Sequence, residues 1–281
     1  MLQDMDVGRL ENEFRNITAS VEDIIICFHE GKVLICRGAD DSLMLPTLAR
    51  IADWQTPAAP RYIFCMQEQS FFLWTAAAPS APEGFAYEPV RQLRQLKSKE
   101  ICFAVMTAWH LYNWYRTNRF CGCCGTPTEH DSKERMLRCV KCGNMIFPRI
   151  SPAVIVAVTD GDRLLLSKYA GRVYTHYALL AGYTEIGETI EQTVHREVME
   201  EVGLRVTNIR YYKSQPWGVD GNILMGFFCD LDGEDTIHLD VTELAVAEWH
   251  PRNALPAHDD GISLTREMIR VFEEGKEPHI I

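Results

Sequence analysis

No apolar run in this 281-residue sequence approaches the length that a membrane-crossing helix needs, so no spanning segment is expected. Positive charge is scarce. The 28 Lys and Arg stand against 39 Asp and Glu, a net charge of −11, which argues against a protein built to grip long nucleic acid. Internal repeats and low-complexity segments are missing too, which leaves out repeat arrays and compositional tails. The opening residues, MLQDMDVGRLENEF, are acidic and polar, unlike a signal or transit peptide, and a cytoplasmic location is expected. What remains is ordinary for a globular protein: 47% hydrophobic, 24% charged, and enough chain for one large domain or two modest ones.

Acidic residues are plentiful, and one stretch concentrates them. Gly182 to Leu204 reads GYTEIGETIEQTVHREVMEEVGL. Glu197, Glu200 and Glu201 stand at i, i+3 and i+4, so a helix puts three carboxylates on one face. Carboxylates so placed repel one another, and they make sense around a divalent cation, with hard oxygen ligands favouring magnesium or manganese. Thr189 with Gln192 fits a capping box, Gly203 fits a left-handed C-terminal residue, and Ile190, Val194, Val198 and Val202 supply an apolar stripe. Arg196 is the expected bidentate partner of Glu188, holding the preceding loop against the helix. The alternative is a solvated acidic helix face.

Cysteine is the other conspicuous presence, at ten residues. Cys121 with Cys124, and Cys139 with Cys142, form two C-x-x-C pairs, each followed by glycine, at a spacing that suits a tetrahedral four-cysteine zinc ribbon. With all four positions filled by protein, such a site is expected to be structural. Two disulfides are the alternative, and Cys123 offers another pairing in the first knuckle. Cys27, Cys36, Cys65, Cys102 and Cys229 lie in apolar surroundings and are expected to pack as small core residues.

The first hundred residues read as short strands: Asp23–His29 and Lys32–Cys36 around Glu30-Gly31, then Arg61–Met66 with Phe71–Trp74. Pro79, Pro82 and Gly84 mark a loop or boundary. Ser98–Asn118 has helical periodicity. Beyond the cysteines, strands are expected at Ala153–Thr159, Arg163–Lys168, Asn208–Lys213, Leu224–Asp230 and Ala247–His250, with a closing helix over Ser263–Phe272. The fold class is α+β, with a mixed sheet between helices at the C-terminal end. The expected division is an N-terminal α+β domain over 1–118, a ribbon over 119–147 and a final domain over 148–281.

Gly182, Glu188 and the run Arg196-Glu197-Val198-Met199-Glu200-Glu201-Val202-Gly203-Leu204 match the fixed positions of the Nudix box, so the chain resembles the Nudix hydrolases. The order of four-cysteine ribbon, box and Ser214-Gln215-Pro216-Trp217 resembles the NADH pyrophosphatase (NAD⁺ diphosphatase) branch, well over about Cys121 to Ile269 and weakly over the first ninety residues. Alone, Trp217 could as well be a packed loop tryptophan. The resemblance implies a Nudix α/β/α sandwich and hydrolysis of NAD(H) to nicotinamide mononucleotide and AMP.

By that resemblance Glu197, Glu200, Glu201, Glu243 and the carbonyl of Ala181 carry magnesium or manganese, Glu188 with Arg196 shapes the loop, and one zinc sits in each subunit. Tyr183 stacks on the nicotinamide, and Gln215 to about Asn222, with Pro216 and Trp217, line the nucleotide pocket. Glu134 and Phe147 approach the dinucleotide from the partner in a homodimer. Phe147 replaces a tyrosine and keeps only stacking; Thr265 stands where a small alanine is usual. Gly218-Val219-Asp220-Gly221-Asn222 replaces the family's P-F-P, which puts the rigidity of the pocket wall in question. Arg91 is a weaker phosphate candidate, with Arg94 competing for the register. Trp109, Trp114 and Tyr115 suit an interface or the monomer core equally.

Glu200 or Glu243 is the expected general base. Alternatives are removal of an NAD cap from RNA 5′ ends, hydrolysis of another derivative such as ADP-ribose, and a non-catalytic nucleotide sensor.

Overall fold

The computed structural model describes residues 1–4, 9–39, 42–51, 59–78, 80–95, 98–171, 175–256 and 261–278. Pro79 and the side chain of Arg94 lie outside the described part.

The strands and helices are, in chain order, β1 (Leu10–Glu11), β2 (Ile24–Ile26), β3 (Phe28–His29), β4 (Lys32–Arg37), β5 (Leu43–Met44), β6 (Arg61–Met66), β7 (Gln69–Leu73), β8 (Ala86–Pro89) and α1 (Lys99–Thr117). The ribbon strands β9 (Thr128–His130), β10 (Leu137–Cys139) and β11 (Met145–Ile146) follow. Then come β12 (Ser151–Asp160), β13 (Arg163–Tyr169), β14 (Leu180–Tyr183), α2 (Ile190–Val202), β15 (Val206–Trp217), β16 (Asn222–Leu231), β17 (Leu244–Pro251) and α3 (Leu264–Glu273). The hairpins and helices expected from periodicity are present. Strands β1, β5, β8, β9, β10, β11 and β14 were not expected: each is two to four residues long, too short for alternation to stand out.

The chain divides into two compact units. The N-terminal unit comprises Leu2–Arg149 together with Trp217–Gly221, and the C-terminal unit comprises Met1, Ile150–Pro216 and Asn222–Ile281. The ribbon thus clusters with the N-terminal strands.

In the C-terminal unit the sheet runs β15-β16-β12-β13-β17, with β14 added to β12. Strand β12 lies parallel to β16 and antiparallel to β13 and β14, so the sheet is mixed. Its sequence, SPAVIVAVTD, is nearly all apolar because both faces are covered. Val154, Val156 and Val158 share one core with Val194, Val198 and Val202 of α2. The alternate residues Ile155 and Ala157 share another with Leu264, Met268, Ile269 and Phe272 of α3. A period of two on the strand meets a period of 3.6 on each helix, which produces the helix–sheet–helix sandwich.

In the N-terminal unit one sheet has the order β1-β6-β7-β2, and a second joins β3, β4, β5 and β8. Ile25, Leu34, Tyr62, Phe72 and Trp74 form its core. Helix α1 meets β3 through Phe28, whose ring lies 5.1 Å from Trp109 and 5.0 Å from Tyr112. Trp114 is buried, and Trp109 and Tyr115 are half-buried, so packing within the unit accounts for much of their surface. Among the described residues, no helix is long and apolar enough to cross a membrane.

Candidate active site and zinc site

Helix α2 begins at a complete capping box: the Thr189 hydroxyl accepts from the Gln192 N–H at 3.2 Å, and the Gln192 side chain accepts from the Thr189 N–H at 2.8 Å. It ends at Gly203, which is left-handed at φ 68° and donates its N–H to the Met199 carbonyl. These caps set where the acids fall.

Arg196 is the centre of the site. Its Nε and Nη2 donate to the two oxygens of Glu188 at 2.6 and 2.9 Å, a forked pair. Nη2 also reaches the Tyr183 carbonyl at 2.8 Å, while Nη1 donates to Glu197 at 2.7 Å and to Glu200 at 2.9 Å. One guanidinium therefore ties the end of β14, the loop before α2 and two helix carboxylates together. Glu188 also accepts from the Glu185 N–H and the Thr193 hydroxyl. Arg196, with these donors beside it, holds the Glu188 carboxyl well down, at about 2. Thr193 was not singled out from the sequence; its signal is that it lies five residues after Glu188 and one turn before Glu197.

Glu197 and Glu201 are buried, and Glu200 is exposed. Burial pushes the Glu197 carboxyl above its ordinary value; Arg196 opposes this, and the charges of Glu200 and Glu243 add to it. Glu243 thus lies within electrostatic reach of Glu197 although 46 residues separate them in sequence. Its backbone N–H donates to the Asp240 carbonyl, and its own carbonyl accepts from the Ala170 N–H. Ala181 lies on β14 opposite Ile155, next to Gly182. Gly182 leaves the space that the Glu197 carboxylate fills: an added Cβ would lie 1.8 Å from Glu197 Cδ.

Tyr183 is exposed, and its hydroxyl donates to Oδ1 of the buried Asn222 at 3.1 Å. Gln215 is placed differently from a pocket residue. It has no exposed surface, its amide donates to the Ile262 carbonyl, and its oxygen accepts from the Leu264 N–H, so it secures the start of α3. Pro216 is exposed and Trp217 half-buried. Thr265 sits half-buried in the first turn of α3. Glu134 and Phe147 are exposed on the ribbon. The Arg91 guanidinium pairs with Asp220.

The four ribbon cysteines converge, with all four Sγ atoms within 4.8 Å of one another. The two knuckles have the same backbone pattern. The N–H of Cys121 donates to the Thr126 carbonyl and that of Gly125 to Cys121; Cys139 with Asn144, and Gly143 with Cys139, repeat it. Cys123 points outward and contributes its N–H, which donates to Cys121 Sγ at 3.4 Å. That settles the first pair as Cys121 with Cys124. All ten cysteines are free thiols, so the disulfide alternative is not adopted. Cys27, Cys65, Cys102 and Cys229 are buried and Cys36 is half-buried. Among the described residues the four cysteines are the group whose ligand atoms converge, while Glu197 and Glu200 accept from Arg196.

Residues 116–147 match the NADH pyrophosphatase zinc ribbon domain, and residues 149–272 match the NUDIX domain. The NAD-capped RNA hydrolase NudC of Pseudomonas aeruginosa (strain LESB58) is 35% identical over 231 residues, covering 81% of this chain and 78% of that protein. The chain belongs to the NudC family of Nudix hydrolases. A second NudC relative, from Chromobacterium violaceum, is 32% identical over 80% of this chain and 88% of its own length. A Nudix hydrolase from Nitrosomonas europaea, known as a crystal structure, superposes with a TM-score of 0.48 at 24% identity over 56% of this chain and 91% of its own. As a member of this family the chain is a hydrolase with a Nudix domain and a four-cysteine zinc ribbon, and the Nudix domain implies a divalent metal.

Proposed function

We propose that this protein hydrolyses the central pyrophosphate of NAD(H) to nicotinamide mononucleotide and AMP, with magnesium or manganese at the Nudix box. The same bond in the NAD cap of an RNA 5′ end is the second substrate, favoured by relatives that act on NAD-capped RNA and match over most of their length. The observation that carries the reading is the combination, in one chain, of the NADH pyrophosphatase ribbon with a Nudix box whose acids surround Arg196.

Glu197, Glu200, Glu201, Glu243 and the carbonyl of Ala181 are the proposed metal ligands. Their fit rests on the buried Glu197 carboxylate, seated against Gly182 and under repulsion from Glu200 and Glu243, a set of hard oxygen donors that a divalent cation relieves. A bound magnesium or manganese supplies neutralisation of the diphosphate charge and acidification of a water. The chain's own share follows from its geometry. Glu188 and Arg196 hold the loop and the end of β14 in place. Glu200 and Glu243, both exposed, are the carboxylates able to take the proton from water as its oxygen bonds to one phosphorus and that phosphorus's bond to the bridging oxygen breaks, the bridging oxygen leaving on the other phosphate. Tyr183 offers a ring steadied at its hydroxyl by Asn222, and Trp217 offers a second; base–aromatic stacking contributes about 1–3 kcal/mol per base. Pro216 and Thr265 are proposed to line the nucleotide pocket, each next in sequence to a residue of the Gln215–Leu264 hydrogen bond.

A homodimer is part of the proposal, with Glu134 and Phe147 of the ribbon reaching the dinucleotide held by the other copy. Sedimentation equilibrium at micromolar concentration checks it. A cytoplasmic location is proposed on the ten free thiols, four of which hold zinc only when reduced.

The test is turnover of NADH, NAD⁺, ADP-ribose and NAD-capped RNA in ¹⁸O-water with magnesium or manganese, products identified by mass. Nicotinamide mononucleotide and AMP are the expected products from NADH. No hydrolysis of any of the four would return the protein to the class of nucleotide sensors.

A further inference from the structure

The loop after Ser214–Trp217 lacks the prolines that stiffen it in the family, and the structure holds it by other means. Asp220 closes a turn by donating its N–H to the Trp217 carbonyl at 3.3 Å. Its two carboxylate oxygens then act on two different partners. Oδ2 accepts the Trp217 indole N–H at 3.1 Å, and Oδ1 accepts from Arg91 Nη2 at 2.7 Å. Arg91 stands on the six-residue 3₁₀ helix Val90–Gln95, well over a hundred residues earlier in the chain. Gly218 completes the seat: an added Cβ there would lie 2.2 Å from the Met106 carbonyl oxygen of α1. Backbone cannot yield as a side-chain tip can, so the turn lies this close to α1 only with glycine at 218. Arg91, Met106, Trp217, Gly218 and Asp220 all belong to the N-terminal unit.

An indole has two rotatable bonds, and a hydrogen bond at its N–H edge leaves both faces open while restricting its plane. A stacking surface ordered before the ligand arrives costs less to use than one ordered on arrival. We propose that Asp220 is a positioning residue for substrate binding: one carboxylate oxygen orients Trp217 for stacking against a base of the dinucleotide, and the other is anchored by Arg91. The proposal rests on the NAD(H) reading given above. It replaces proline rigidity with a three-residue polar clamp, Arg91–Asp220–Trp217, and it makes position 220 a determinant of nucleotide affinity in this chain. Asp220 is not one of the box acids, so its effect is expected in KM with kcat unchanged.

The test compares Asp220→Ala with Asp220→Asn in the full-length, zinc-loaded protein. Alanine removes both arms of the clamp; asparagine keeps an acceptor for the indole N–H. Asp220→Ala is expected to raise KM for NADH about fivefold, the scale of one hydrogen bond, with kcat unchanged and with Asp220→Asn restoring most of the loss. A wild-type KM in Asp220→Ala, or an equal fall in kcat in both variants, overturns the proposal. Equilibrium binding of AMP and of nicotinamide mononucleotide, without divalent metal, separates this from the functional reading. Wild-type protein that binds a mononucleotide but hydrolyses neither NADH nor NAD-capped RNA refutes the reaction. Weaker binding in Asp220→Ala than in Asp220→Asn then still supports the clamp, and equal binding, or none by the wild type, refutes it.

Discussion

The carboxylate of Glu197 occupies the volume in which a side chain at residue 182 would begin, its Cδ only 1.8 Å from the position of an added Cβ. The clash falls on the far end of a flexible side chain, so Gly182→Ala should fold and move the carboxylate aside. Displacing a reacting group by about an ångström costs about a hundredfold in rate. The expected outcome is a kcat lower by about that factor with an unchanged far-ultraviolet circular dichroism spectrum. A variant with wild-type turnover would show that Glu197 does not need this seat.

Glu197 is held ionisable in a place that raises its pKa, so its charge weighs against the metal-free fold. The sign follows: a carboxyl whose folded pKa lies above its unfolded value contributes stability at low pH and loses it as pH rises through the folded value. Glu197→Gln should therefore raise the melting temperature of metal-free protein at neutral pH while abolishing turnover. Glu201→Gln should lower kcat at least about a hundredfold at saturating magnesium with folding retained. Calorimetry with and without chelator, beside a steady-state assay, reads both.

Glu188 behaves in the opposite sense. Arg196 holds its folded pKa at about 2, below the ordinary 4.5, so its contribution is present above pH 4.5 and is lost as pH falls toward 2. Arg196→Gln removes the partner and should melt lower than wild type at neutral pH. The gap in melting temperature should close as pH drops from 4.5 toward 2. A gap independent of pH would mean that Arg196 acts by packing alone.

The ribbon should contain one zinc per chain by elemental analysis. Cys124→Ser should lose it, and Cys123→Ser should keep it, because Cys123 presents only its backbone N–H to the cluster. Chelation strong enough to remove zinc should melt the ribbon, since a sheet of two- and three-residue strands has little core of its own. Retention of ribbon structure without metal, followed by hydrogen exchange, would refute a structural role.

Helix α2, its caps and its apolar stripe were legible because each depends on residues three or four apart, where backbone geometry alone sets which side chains meet. The forked pair of Arg196 with Glu188 was legible for a similar reason. The reach of the same guanidinium to the Tyr183 carbonyl was not, because it depends on how β14 lies beside α2. Gln215 shows the limit most clearly. In sequence it sits in a motif that reads as a pocket wall, yet its amide is consumed by the backbone at Ile262 and Leu264, 47 and 49 residues away.

By itself, then, the sequence determined the reaction class and the zinc site, since carboxylates at i, i+3 and i+4 and paired C-x-x-C turns are short-range patterns that local backbone geometry enforces. Tertiary structure decided what those groups face. The parallel pairing of β12 with β16, the seating of Glu197 against Gly182 and the clamp joining Arg91, Asp220 and Trp217 join chain segments from 15 to well over a hundred residues apart. Such contacts form only when burial of apolar surface within each unit outweighs the entropy of closing the intervening chain, and no spacing within a motif encodes that balance.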